Sequence, residues 1–364
     1  MKHERIRRKK EMDLTSSKQK LALSGVIVGL VAAILAVKGN PGNMAFCIAC
    51  FIRDTAGAMK MHTAPVVQYV RPETIGIVLG AFIISVATKE YRSTAGSSPM
   101  VRFVLGIILM VGSLVFLGCP LRMVIRMAAG DFNAWVALPG FVAGVYTGAL
   151  FLKKGYSLGR AHITNPMSGG VPAFLMLSIL VLSLVTSLFV VSEKGPGSMH
   201  APIALALIGG ILVGIVAEKS RMCFAGSIRD IVLMKNFDLF TIIAALFAVL
   251  LIFNLATNRF HAGFADQPVA HSKQLWNILS MYAVGFAAVL AGGCPMRQLV
   301  LSGQGQSDAG VTVIGMFFGA AMAHNFSLAA APVEGPGPNG KVATILCIIG
   351  CFVIAKFNNR KMAH

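Results

Sequence analysis

Carboxylates are scarce in this chain. Only 14 Asp and Glu residues stand against 32 Lys and Arg in 364 residues, and each of the 14 falls in the N-terminal tail, at the end of an apolar run or in a connection. With none inside an apolar run, the commonest buried-carboxylate proton relay is excluded. No glycine-rich phosphate loop with its lysine is present, which excludes ATP hydrolysis by this chain. Histidines 62, 162, 200, 261 and 271 lie in connections, and His324 near the end of a run reads as locally satisfied. No Cys/His cluster has metal-finger spacing, so neither a metal nor a cofactor is expected. The seven cysteines, at 47, 50, 119, 223, 294, 347 and 351, do not make a secreted disulfide framework.

Apolar residues are in excess. At 56% hydrophobic composition and mean hydropathy +0.74, the chain is more apolar than a soluble domain of its size can bury, and it reads as a polytopic membrane protein. The net charge of +18 is dispersed over connections and tails, which marks a cytoplasmic face rather than a nucleic-acid site. The tail Met1 to Lys20 carries Arg5-Ile6-Arg7-Arg8-Lys9-Lys10, a solvated run suited to anionic lipid that keeps the N-terminus inside. Leu21 to Val37 lacks a small-x-small exit site and reads as a first span, not a signal peptide.

Ten apolar runs approach bilayer length: 21–37, 73–88, 101–117, 136–152, 172–191, 203–217, 238–256, 275–292, 309–325 and 342–356. This predicts an all-α membrane helical bundle, with a basic tail at 1–20, a first repeat at 21–191 and a second at 192–364. The duplication shows in two phrases. Gly118-Cys119-Pro120-Leu121-Arg122 matches Gly293-Cys294-Pro295-Met296-Arg297, and the stretch from Phe46 through Cys47 and Cys50 to Arg53-Asp54 matches that from Met222 through Cys223 and Gly226 to Arg229-Asp230. Nine extra residues around Gly39 to Asn43 make the two entrances differ. Glycines spaced by four, such as Gly25/Gly29 and Gly140/Gly144/Gly148, read as helix-packing seams.

Five crossings separate Cys47 from Cys223, so the second repeat is inserted upside down. With the N-terminus cytoplasmic, Lys89, Arg92, Lys153, Lys154, Arg160, Lys219, Arg221 and Lys235 all fall on the inside, as do Lys356, Arg360 and Lys361 in the C-terminal tail. Both termini are then cytoplasmic. Cys47 and Cys119 approach from outside, Cys223 and Cys294 from inside, in the plan of an inverted-repeat transporter with broken or re-entrant helices.

Gly-Cys-Pro-x-Arg has a physical logic. Glycine lets the backbone leave one helix, proline starts the next, and cysteine between them sits at the break near a positive helix end. Arg122 and Arg297 would add anion-attracting charge. Arg53 and Arg229 offer more, although beside Asp54 and Asp230 they read first as self-neutralising structural pairs. A thiol suits a soft, polarizable sulfur or selenium group better than a hydrated hard ion. Cys347 and Cys351, one turn apart, read as small core residues.

On these motifs the chain resembles the YeeE/YedE family of sulfur-transport membrane proteins, and its length and organisation are most similar to the selenium-metabolism YedE subgroup. The resemblance implies an hourglass-like central pathway in a bacterial inner membrane, along which thiosulfate is passed by weak S–H contacts. Carried onto this sequence, the pathway residues are Cys47, Cys119, Cys223 and Cys294, with Cys50 as a possible auxiliary. The subgroup further implies a selenium or sulfur anion as cargo and a small cytoplasmic sulfur-carrier protein as partner. The expectation is therefore uptake of such an anion and no enzyme activity; the competing reading is a membrane thiol-redox or sulfur-transfer enzyme using Cys47-x-x-Cys50.

Overall fold

The computed structural model describes the backbone of residues 2–359 and the side chains of 18–359. The basic run Arg5 to Lys10 and the tail residues Arg360 and Lys361 lie outside the described side chains. Among the described residues there are fourteen helices, seven in each half. The first seven are α1 (Lys2–Val37), α2 (Ile48–Ala58), α3 (Pro72–Ala87), α4 (Pro99–Phe116), α5 (Pro120–Ala128), α6 (Phe132–Lys153) and α7 (Pro166–Val185). The second seven are α8 (Ile203–Lys219), α9 (Phe224–Met234), α10 (Asp238–Ala256), α11 (Gln274–Leu290), α12 (Pro295–Gly303), α13 (Ser307–Asn325) and α14 (Pro338–Phe357). Two two-residue strands, Thr94–Ala95 and His162–Ile163, pair antiparallel and tie two connections together.

Eight segments are long and apolar enough to cross a membrane, and three of them, 99–128, 203–234 and 274–303, join a long helix to the short one after it. The chain is an all-α, multi-pass bundle. Ten crossings are expected from sequence; the two that fall short are α3, of 16 residues, and α13, which carries Ser307, Asp308 and His324 near its ends.

The long helices pair across the two halves through glycines. Gly25 and Gly29 of α1 face Ile242 and Val249 of α10, and Gly210 and Gly214 of α8 face Glu73 and Ile77 of α3. Gly315 and Gly319 of α13 face Phe103 and Ile107 of α4, while Gly140, Gly144 and Gly148 of α6 face Ile278, Tyr282 and Val289 of α11. In each pair the numbers rise together, so the partners run parallel. α1 and α8 run opposite ways: Val31 of α1 faces Gly209 of α8, and beyond the end of α1 Asn40 Oδ1 accepts from Ala201 N, 2.9 Å, just ahead of α8. Small residues allow this closeness, and without a hydrophobic drive between helices in lipid it is the packing that holds them. A Cβ at position 144 would meet the Tyr282 carbonyl and lie 2.9 Å from Phe286 N. Gly144→Val is therefore expected to destabilise the folded protein by about 1–3 kcal/mol, read as a lowered Tm in detergent.

The last helix of each half departs from this exchange. α7 packs on α3 and α12, whereas α14 packs on α11 and α4. The absence of carboxylates from apolar runs also misleads. Asp54, Glu73 and Asp131 are fully buried and Glu218 nearly so, because neighbouring segments fold over the helix ends on which they stand.

Candidate functional site: thiols at four helix breaks

Each of the four repeated cysteines caps the N-terminus of a short helix. Cys47 precedes α2, Cys119 α5, Cys223 α9 and Cys294 α12, helices of 9 or 11 residues. Cys119 and Cys294 are extended (ψ 172° and 168°) because a following proline excludes the helical region, and Pro120 and Pro295 open their helices. Cys47 and Cys223 use their sulfurs as caps, Sγ accepting from Cys50 N and Gly226 N at 3.2 Å each. All four are buried. Each of the four sulfurs thus stands at the positive end of its own short helix.

The glycine of the motif has a different reason from the one expected. The left-handed residue that lets the backbone leave the long helix is the one before it, Leu117 (φ 62°) in one copy and Gly292 (φ 82°) in the other. Gly118 and Gly293 are needed for space, since a Cβ there would lie 2.9 Å from Arg122 Cδ and 2.8 Å from Arg297 Cγ. The arginine side chain folds back over its own break.

The two arginines then diverge. Arg122 is fully buried and spends its donors on carbonyls: Nε on Asn43 (2.8 Å), NH1 on Leu117, and NH2 on Pro268 and Val269 (3.2 and 3.3 Å). Its NH1 also lies 3.6 Å from Cys50 Sγ. In the second copy Gln298 Nε2 donates to Ala291 O and Gly293 O at 2.9 and 3.2 Å, and Arg102 donates to Ala291 O as well. The break carbonyls being served, Arg297 NH1 has no hydrogen-bond partner among the described residues. Of the two, Arg122 is a strut and Arg297 a half-buried cation with a free, buried donor.

In the second copy Cys223 and Cys294 lie close to one another, with Arg297 beside both. Cys47 and Cys50 form a disulfide, Cα to Cα 5.2 Å, and Arg122, three residues after Cys119, has its NH1 3.6 Å from Cys50 Sγ. The repeat offered no sign of this, because Gly226 stands opposite Cys50. Cys347 and Cys351 are buried in α14, away from the breaks. Among the described residues no cluster of three or more His, Cys, Asp or Glu could hold a metal.

Arg53 and Arg229 pair with the next aspartate, at 2.6 and 2.8 Å. Asp54 takes a second cation, Arg71, at 2.8 Å, and Arg71 also donates to Met199 O and Pro196 O. Sequence reasoning missed Arg71, Glu73, Asn40 and the Arg126–Asp131 pair (2.6 Å). Arg71-Pro72-Glu73 at the mouth of an apolar run was the available signal, as was Asn40 within the extra nine residues. That insertion lines a cavity of about 310 Å³ through Gly42, Asn43 and Ala45, opposite Arg259, His261 and Asp266.

Residues 2–147 and 219–356 match the family described as sulphur transport. Two curated relatives are similar over shorter stretches. The thiosulfate transporter TsuA of Spirochaeta thermophila is 31% identical over 103 residues, 28% of this chain and 31% of that protein. The thiosulfate transporter TsuA of Escherichia coli is 29% identical over 107 residues, 29% of this chain and 30% of that protein. In each case the match spans less than a third of the relative's length.

Proposed function

Because the chain belongs to the sulphur transport family, we propose that it takes up a small sulfur or selenium anion, thiosulfate or a selenium analogue, along Cys47, Cys119, Cys223 and Cys294. The observation that carries this is the placing of all four cysteines at buried N-termini of short helices, where an anion gains from the helix end and a soft atom from sulfur. Many weak contacts suit passage, since binding must permit release; the S–H donors are Cys119, Cys223 and Cys294, with Cys47 joining them once its disulfide with Cys50 is reduced. Arg297, with its unspent donor beside Cys223 and Cys294, holds the anion on the inner side, and Arg122 shapes the outer break rather than binding cargo. Arg53 and Arg229 stand behind them, each paired with the next aspartate.

The organisation is two inverted repeats, 21–191 and 192–364, in a bacterial inner membrane with both termini cytoplasmic. The basic inner rim suits a small sulfur-carrier protein as recipient of the cargo. Uptake into proteoliposomes of labelled thiosulfate, selenite, sulfate and selenosulfate tests the reading: thiosulfate or selenosulfate should enter and sulfate should not. Equal entry of all four, or of none, refutes it.

The Cys47–Cys50 disulfide favours a second reading, a membrane thiol-redox or sulfur-transfer enzyme. Cys50→Ser separates the two. Uptake should survive within about two-fold, because position 226 of the second repeat works without a thiol, whereas an enzyme built on the dithiol would lose its turnover.

A further inference from the structure

We propose that Glu73 is a proton-binding site that couples proton entry to entry of the anion, a step that rests on the transport reading above. The first observation is an orphaned oxygen. Glu73 is fully buried at the start of α3; Oε1 accepts from Asn40 Nδ2 at 2.8 Å, while Oε2 has no partner among the described residues and no cation lies within ion-pair distance. A buried carboxylate in that state is costly when ionised and relieved by a proton on the free oxygen.

The second observation is where its one bond leads. Asn40 Nδ2 also donates to Ala45 O, two residues before Cys47, and Asn40 Oδ1 accepts from Ala201 N at the head of α8. Glu73 backbone itself packs against Gly210 of α8. The protonation state of one carboxylate is thereby read at the loop carrying the outer cysteine and at the contact between the two halves.

Charge balance supplies the direction. The groups facing Glu73 are Arg71 and Tyr69 from the preceding loop and Asp54 from α2, with Asn40 from the insertion; His200 stacks on Tyr69 at 4.1 Å. Around the outer site Arg53, Arg71 and Arg122 oppose Asp54 and Glu73, an excess of one positive charge. Asp54 is already paired with two guanidiniums. A dianion arriving there turns the excess to one negative charge, and a proton on Glu73 Oε2 restores neutrality. Anion and proton therefore raise each other's affinity, as linkage requires; the proton comes from the water outside, leaves inside, and no bond of the cargo changes.

Proteoliposomes loaded with a pH-sensitive dye test this. In wild type, external thiosulfate should acidify the lumen, and an inward proton gradient should increase accumulation. Glu73→Gln should lose both responses while exchange of labelled for unlabelled thiosulfate stays within two-fold of wild type. Should Glu73→Gln fail to fold, Asn40→Ala serves: by removing the donor that favours the ionised carboxylate it should move the pH midpoint of uptake upward. Uptake by wild type without acidification, Glu73→Gln vesicles that acidify like wild type, or an unmoved midpoint in Asn40→Ala each overturns the coupling. Absence of exchange in wild type overturns the transport reading instead.

Discussion

Cys294→Ala should reduce thiosulfate uptake by about 10- to 150-fold, the loss expected when one hydrogen bond to a charged ligand, roughly 1.5–3 kcal/mol, is removed from a desolvated point. Cys294 is buried, caps α12, lies close to Cys223, and has Arg297 beside it. Alanine keeps the extended backbone before Pro295 and removes only the sulfur, so the helix break should survive and the folded protein should be recovered in normal amount. Serine keeps a donor but loses polarizability, and its uptake should fall between alanine and wild type. Initial rates in proteoliposomes, normalised to protein incorporated, read the effect. Full activity in Cys294→Ala would remove the thiol pathway from consideration.

Asp54→Asn should destabilise the fold by about 3–5 kcal/mol, the cost of leaving buried cations without their counter-charge. Asp54 is completely buried and pairs with both Arg53 and Arg71, and Arg71 in turn joins α3 to the carbonyls of Pro196 and Met199 ahead of α8. The matched substitution in the second repeat supplies the control. Asp230→Asn breaks a pair whose side chains are 30% and 15% exposed, where water takes up the released charge and the cost stays below about 1 kcal/mol. Thermal unfolding of the two variants side by side measures the difference. Equal Tm shifts would show that burial does not distinguish the copies.

How far the site could be read in advance depended on what each residue's role rests on. Chain-local features were legible: proline after cysteine forces an extended residue and starts a helix, so the breaks at Cys119 and Cys294 could be placed from the motif alone. The glycine spacing likewise announced that α6 carries a packing seam, though not that α11 fills it. Roles that depend on what comes near from elsewhere were not legible. Arg122 and Arg297 are identical in the motif, yet one is consumed by carbonyls from residues 43, 268 and 269, and the other is left free because Gln298 and Arg102 serve its break. Glu73 looked like a helix-end carboxylate and is buried by Asn40 and α8.

Composition and periodicity by themselves determined that the chain is an all-α, multi-pass bundle, because only helices satisfy the backbone over apolar runs of this length in lipid. The repeated phrases placed the thiols at helix breaks, because proline and cysteine act on their immediate neighbours. Tertiary structure alone decided which copies of a repeated residue differ. It joined Cys47 to Cys50, left Cys223 beside Cys294, spent Arg122, freed Arg297 and buried Asp54 more deeply than Asp230. The physical reason is that charge and hydrogen bonding are settled by whatever packs against a group, and α7, α14 and the insertion at 39–43 pack without regard to the repeat.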